Sequence, residues 1–114
     1  MAVAGHWSLW QLNGFSLSAN STVAASDSGQ VGRDPPLKNL VAKEIAYIVD
    51  KSSSYDVDVV WLDASGNTIE KENLESASTG ESVGTVPMRS PFWDVEITDN
   101  SGSQENVEAS FHAH

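Results

Sequence analysis

The chain has 114 residues, enough for one domain with its own core, and it contains no cysteine. That composition excludes disulfides, thiolate metal sites and cysteine nucleophiles. Sixteen acidic residues against six basic ones give a formal net charge of −10. A chain with this charge repels the phosphates of nucleic acid and of anionic lipid, so we expect neither nucleic acid nor a membrane as its partner. Solubility explains the charge, and adaptation to a salty medium is a more specific interpretation.

The first residues, Met1-Ala2-Val3-Ala4-Gly5-His6-Trp7, form neither a basic leader nor an apolar one. This pattern predicts no signal peptide, and no run is long enough to span a bilayer. We therefore expect a single domain over 1–114 that is synthesised in the cytoplasm.

The N-terminal segment is predicted to form two strands, Trp7 to Leu12 and Phe15 to Ala19. Trp7 and Trp10 are three apart, so on a strand they face opposite sides and one of them is expected at a surface. We interpret 1–15 as an arm that contacts a neighbouring subunit. Its interface candidates are Trp7, Leu9, Trp10, Leu12 and Phe15. The Ser-, Gly- and Ala-rich stretch 20–36 is predicted to be a long loop.

Three later segments alternate in period two, with apolar residues at odd positions: Tyr55 to Trp61, Trp93 to Thr98 and Val107 to Ala113. Such alternation predicts antiparallel strands with one face on a core and the other in water, and it places Trp61 and Trp93 in that core. The run from Ile45 to Val49 is apolar on both faces, as in a central strand. A helix competes over 37–50, but the β-branched residues favour a strand.

Two polar segments are predicted to be hairpin turns, Asp63 to Asn67 and Asp99 to Ser103, each with a glycine that can adopt positive φ. Glu75 to Arg89 is predicted to be a second long polar connection, since Pro87 and Pro91 limit ladder formation. The pattern as a whole predicts an all-β fold, an antiparallel β-sandwich of jelly-roll or Ig-like topology with about seven or eight strands and an N-terminal arm.

Histidines and carboxylates are the candidate metal ligands. His112 and His114 are two apart on a predicted strand and so share a face, but zinc needs three or four ligands and only His6 is left to join them. Asp56, Asp58, Asp94 and Glu96 lie at outer positions where calcium could bind. Calcium sites usually draw their ligands from loops, so a solvated acidic face is the favoured interpretation. We predict no metal.

No catalytic constellation is visible in the sequence. It has no nucleophile elbow, no glycine-rich phosphate loop and no carboxylate pair that its surroundings single out. We therefore predict no catalytic residue and no cofactor, and expect that the protein is not an enzyme.

Two segments carry a resemblance to known proteins, Tyr55 to Asn67 and Trp93 to Gly102. Together they resemble β-sandwich modules of Ig-like and jelly-roll type and, with the low lysine content, the small structural proteins of tailed viruses that infect halophilic archaea. The resemblance implies a virion component such as a capsid decoration, turret or tail-associated subunit. It also implies a location on the virion surface and assembly as a symmetric oligomer.

The sequence thus favours a non-enzymatic structural subunit, most concretely a viral capsid decoration protein. Its expected partners are further copies of itself, with three-fold symmetry the first expectation, and a protein shell or tail. The alternative is a carbohydrate-binding or adhesion module that holds sugar with an exposed tryptophan and acidic loop residues.

Overall fold

A computed structural model describes residues 8–28, 37–38 and 42–114 of the chain. Seven strands and one helical turn make up its regular structure: β1 (Ser8–Leu17), β2 (Thr22–Ala24), α1 (Ala25–Ser28), β3 (Leu37–Lys38), β4 (Glu44–Leu62), β5 (Thr68–Pro87), β6 (Phe92–Asp99) and β7 (Glu105–Ala113). Every strand pairing is antiparallel. The predicted all-β, antiparallel class is therefore confirmed. Within the described ranges, no helix is long and apolar enough to cross a membrane.

Strand β4 organises the sheet because it is shared by two groups of strands. One of its edges pairs with β5 along almost its whole length. On the other edge, Ile45 to Asp50 pair with β7, and Tyr55 to Leu62 pair with β6. Strand β1 then extends the β7 side, and β2 and β3 extend the β6 side. We call these two parts the β7 half-sheet and the β6 half-sheet.

The sheet folds over between the two half-sheets. Register shifts lie between Lys51 and Tyr55 of β4, where the chain passes from β7 to β6 as its neighbour. Bulges of this kind bend a strand and increase its twist. One hydrophobic cluster contains side chains from both half-sheets, so their inner faces meet on a single core. This arrangement is compatible with the predicted β-sandwich.

Most of the core comes from odd-numbered positions of β4, β6 and β7, as the alternation predicts, and β1 adds further side chains. Trp61 and Trp93 lie directly opposite each other and are 1% and 0% exposed, which confirms both as core residues. In the β7 half-sheet, Phe111 packs against Trp10 and Tyr47, with ring centroids 5.6 and 5.7 Å apart.

The N-terminal segment is a strand of the sheet in its described part. The two predicted strands form one, β1, with a register shift between Leu12 and Phe15 where it pairs with β7. Trp10 and Leu12 are each 1% exposed. They are core residues of their own chain, which corrects their assignment as interface contacts. Phe15 packs half-buried against the core. Trp7 and the side chain of Leu9 lie outside the described part.

The predicted polar connection from Glu75 to Arg89 is wrong, because β5 continues to Pro87. Among the strands that the structure describes, β5 pairs with β4 alone, and most of its side chains are exposed. Such a strand needs no apolar face, so its sequence lacks the alternation that reveals its neighbours. The predicted loop over 20–36 contains β2 and α1, while 29–36 lie outside the described residues.

The two predicted turns differ. Asp63 to Asn67 form the turn of the β4–β5 hairpin, where Asp63 Oδ1 accepts hydrogen bonds from the backbone N–H groups of Ser65 and Asn67, both at 2.9 Å. Gly66 adopts the positive φ of 89° that this turn requires. Asp99 to Ser103 are not a hairpin turn. Strands β6 and β7 pair with different parts of β4, so this segment crosses from one half-sheet to the other.

Candidate functional site

A buried lysine lies between two carboxylates where the sheet folds over. Lys51 Nζ is 2.6 Å from Asp99 Oδ1 and 3.5 Å from Glu105 Oε1, and the Lys51 and Asp99 side chains have no exposed surface. Lys51 Nζ also donates to Ser53 Oγ at 2.8 Å. We call Lys51, Asp99 and Glu105 the buried charge cluster. It joins the bend in β4 to the end of β6 and the beginning of β7.

Strand alternation explains why these three charges point inward. Lys51 continues the inward series of Ile45, Tyr47 and Val49; Asp99 and Glu105 hold the corresponding positions at the adjoining ends of β6 and β7. None of the three was predicted as a site residue from the sequence, where Asp99 was assigned to a turn. A signal was present, since a charged residue that continues an apolar series of alternate positions predicts a buried charge that needs a partner.

Hydrogen bonds engage both carboxylates of the cluster. Asp99 Oδ2 accepts from the backbone N–H groups of Asn20 at 2.8 Å and Gly102 at 3.1 Å. The hydrogen bond from Lys51, followed by that from Ser101, holds the pKa of Asp99 well below its usual range. Hydrogen bonds from Ser53 and Ser52 lower the pKa of Glu105. With Lys51 and Asp99 buried and both carboxylates bonded to neighbouring groups, the cluster suits holding the fold together rather than chemistry on a ligand.

The outer acidic positions of the β6 half-sheet are bonded to other residues of the chain. Glu96 Oε1 is 2.8 Å from Lys71 Nζ, and Asp58 Oδ1 accepts a hydrogen bond from Asn73 Nδ2 at 3.0 Å. Asp56 Oδ1 accepts from the Ala77 backbone N–H and from Asn100 Nδ2. Among the described residues, no group of three or more His, Asp and Glu side chains could hold a metal ion. The four outer carboxylates considered for calcium are therefore not gathered into such a group.

A shallow groove of about 360 Å³ lies on the outer face of the β6 half-sheet. Val60 and Leu62 line it together with polar groups of Ser26, Thr68, Asp94 and Glu96. Asp94 Oδ1 accepts hydrogen bonds from the backbone N–H groups of Ser26 at 3.1 Å and Val95 at 2.8 Å. The groove thus combines apolar surface with carboxylate and hydroxyl oxygens, which are suitable contacts for a polyhydroxylated ligand.

His112 and His114 share a face, as predicted, with ring centroids 5.6 Å apart. His114 Nε2 lies 3.1 Å from Glu44 Oε2 at the rim of the β7 half-sheet. The described residues supply no third ligand that would complete a metal site with this pair.

The structure shows an apolar surface that the sequence analysis missed. Ile48 of β4 and Val83 of β5 are direct cross-strand neighbours, and their side chains are 40% and 68% exposed. Ile69, at 62%, is the other large hydrophobic side chain exposed in the described part. Ile48 lies within a run that is apolar on both faces and Val83 within a segment predicted to be a loop, so the sequence pattern does not place them together.

No protein-family model matches the sequence, and no curated protein sequence is similar to it. The fold resembles that of a mitogen derived from Yersinia pseudotuberculosis, with a TM-score of 0.51 and 9% identity over 95% of this chain and 86% of the mitogen chain. A second structure, the enzymatically active domain of tailspike protein 4 of bacteriophage CBA120, gives a TM-score of 0.38 and 11% identity over 94% of this chain and 19% of that one. The mitogen comparison supports the β-rich fold alone.

Proposed function

We propose that the protein is a non-enzymatic structural subunit of a larger assembly, most concretely a decoration protein on the surface of a viral capsid. The observation that carries this proposal is the exposed Ile48–Val83 pair. Two large aliphatic side chains lie side by side in water on a chain with a net charge of −10. Apolar side chains grouped in this way on a polar surface are typical of sites that contact another protein.

The polar chemistry of the chain supports a structural role. The buried charge cluster holds the fold, and hydrogen bonds within the chain engage the outer carboxylates Asp56, Asp58, Asp94 and Glu96. These groups are positioned by their neighbours and serve the stability of the domain. An acidic exterior also keeps such a subunit soluble before it assembles.

Immunogold electron microscopy tests the virion role directly. Antibodies raised against the purified chain are applied to particles pelleted from a culture that expresses the gene in its native context. We expect gold on the surface of intact particles, with antibodies depleted on the purified chain as the control. Label confined to the soluble fraction would contradict the proposal.

The groove on the β6 half-sheet supports a second candidate, a carbohydrate-binding or adhesion module. Its lining of Val60 and Leu62 beside Asp94 and Glu96 offers apolar contact and hydrogen-bond acceptors to a sugar. A glycan array probed with the purified chain tests this function, with D94N/E96Q as the groove variant and D50N, outside the groove, as the control. Binding that only the groove variant loses would favour the module, and an array without bound glycans would exclude it.

A further inference from the structure

We propose that residues Ser82–Pro87 of β5, the neutral edge, pair with the same segment of a second copy of the chain. The pairing joins two β7 half-sheets into one continuous antiparallel sheet across a two-fold axis. It concerns how two chains meet and does not depend on the virion role.

The backbone of the neutral edge is free to accept another strand. Within the described residues, β5 is hydrogen-bonded to β4 alone. The N–H of Met88 donates to the carbonyl oxygen of Lys43 at 3.0 Å, so Met88 points toward the β4 side. Because backbone groups alternate along a strand, Val83 and Thr85 direct their N–H and C=O groups away from β4. Both residues are exposed.

Pro87 is consistent with this alternation of backbone groups along β5. It lies at an outward-pointing position, where its missing N–H removes no bond of the β4–β5 ladder. The outward N–H and C=O groups of Val83 and Thr85, with the carbonyl of Pro87, form a short row that an antiparallel strand can pair with.

The two halves of β5 differ in how their edge is protected. The first half carries charges at Glu70, Lys71, Glu72 and Glu75, and register shifts interrupt its pairing with β4 near residues 75–80. Charged side chains, prolines and bulges are among the devices that prevent one sheet edge from joining another. The neutral edge has no charged residue, and it pairs with Glu44 to Val49 in unbroken register. The neutral edge therefore lacks the charges and bulges that protect the first half, and Pro87 at its end is the one protective residue it contains.

The charge pattern identifies a second copy as the occupant. Two chains with a charge of −10 each repel one another, and this repulsion is weakest where both present a neutral surface. A two-fold axis at Gly84 places Val83 opposite Thr85 of the partner subunit, and Glu81 opposite Pro87 of the partner subunit. No carboxylate then faces another across the contact. The Ile48–Val83 pairs of the two copies adjoin and form one apolar surface across the axis.

Sedimentation equilibrium and light scattering on the full chain test the pairing. The wild type is expected to shift with concentration from 12.2 kDa toward twice that mass. The association should tighten as NaCl rises from about 0.1 to about 1 M, since salt screens the repulsion between copies. A particle of three chains, as expected from the sequence, would contradict the two-fold contact, and so would a monomer at millimolar concentration.

Two variants and a control locate the contact. V83K places an ammonium on the neutral edge, and T85P removes an outward N–H; each should weaken dimerisation by about tenfold or more. I69K adds the same charge at a similarly exposed site on the first half of β5 and should leave dimerisation unchanged. Circular dichroism checks that each variant is folded. If V83K does not fold, T85P alone decides whether the neutral edge forms the contact.

Equal weakening by I69K and V83K, or an unaltered dimer in folded V83K and T85P, would overturn the assignment. The result is separable from the virion role. A dimer without gold on particles contradicts the decoration protein alone, and labelled particles with a monomeric chain contradict the pairing alone.

Discussion

At the scale of single residues, the buried charge cluster leads to a prediction about stability. A buried ion pair gains little over apolar residues of similar volume, but removing one partner strands the other charge away from water. Lys51 lies against two carboxylates, Asp99 and Glu105, so its loss leaves two negative charges without a cation. The backbone N–H groups that bond Asp99 offset this in part.

We predict that Lys51→Met lowers the free energy of unfolding by about 3–5 kcal/mol. The matched control is Lys71→Met, which removes the exposed pair with Glu96, where the lysine side chain is 54% exposed. That change should cost less than about 1 kcal/mol, because water screens the pair. Urea denaturation followed by tryptophan fluorescence gives both values. Equal losses in the two variants would show that the cluster does not stabilise the fold.

The same cluster predicts how stability depends on pH. The pKa values of Asp99 and Glu105 are lower in the folded chain than their ordinary values, which are about 3.9 and about 4.3. Their contribution is therefore complete above those ordinary values and is lost as pH falls through the folded ones. Stability should decline from about pH 5 downward.

Asp99→Asn isolates this contribution from that of the other carboxylates. The variant should be less stable than the wild type at neutral pH, and its stability should fall less steeply on acidification, because one of the two depressed groups is gone. Urea midpoints measured between about pH 6 and about pH 3 provide the comparison. Parallel curves for the two proteins would contradict the assignment.

At the scale of elements, the β4–β5 hairpin depends on a close contact between a glycine and an aromatic ring. Tyr47 lies directly opposite Gly84, and a Cβ at Gly84 would lie 2.6 Å from Tyr47 Oη and 2.8 Å from its Cζ. The ring is held in place by Phe111 and by a hydrogen bond from Tyr47 Oη to Glu75 Oε2 at 2.7 Å. Burial and this hydrogen bond raise the pKa of Tyr47 above its usual range.

Gly84→Ala should therefore destabilise the chain by about 1–3 kcal/mol, the usual cost of overpacking. The smaller entropic gain of replacing glycine does not offset it. Thr85→Ala, next to it and exposed, is the control and should change stability by no more than about 0.5 kcal/mol. Thermal unfolding at a dilution where the chain is monomeric measures both. An alanine as well tolerated at 84 as at 85 would mean that the Tyr47 ring can move aside.

The elements also show which parts of the fold are readable from sequence. Strands β6 and β7 and the second part of β4 alternate because one face of each is buried, so their core residues are predictable. Strand β5 is not predictable from its sequence, since an exposed edge strand needs no apolar face. The crossing at Asp99 to Ser103 has the composition of a hairpin turn, and only the partners of β6 and β7 reveal its role.

The candidate surfaces are less predictable because they depend on pairing between distant segments. Ile48 and Val83 come together only through the β4–β5 register, and the groove forms through the pairing of β4 with β5 and β6 together with the contact of Ser26 with Asp94. The cluster is the exception, since strand phase alone points Lys51, Asp99 and Glu105 inward.

At the scale of the whole molecule, net charge opposes the fold. The chain has sixteen acidic and six basic residues, and on the β7 half-sheet three of the acidic residues form a row. Asp50 pairs in register with Glu81 on one side and Glu108 on the other, and all three are exposed. Like charges directly opposite in a sheet destabilise it by about 0.2–1 kcal/mol per pair.

We therefore predict that thermal stability rises with NaCl between about 0.02 and about 1 M, because salt screens this repulsion more than it weakens the few exposed ion pairs. Asp50→Lys turns both repulsive pairs of the row into attractive ones. It should raise the melting temperature at low salt and reduce the rise with salt. Calorimetry of both proteins at matched salt concentrations makes the comparison. A wild-type melting temperature independent of salt would contradict adaptation to a salty medium, and an unchanged slope in the variant would exclude the row as its source.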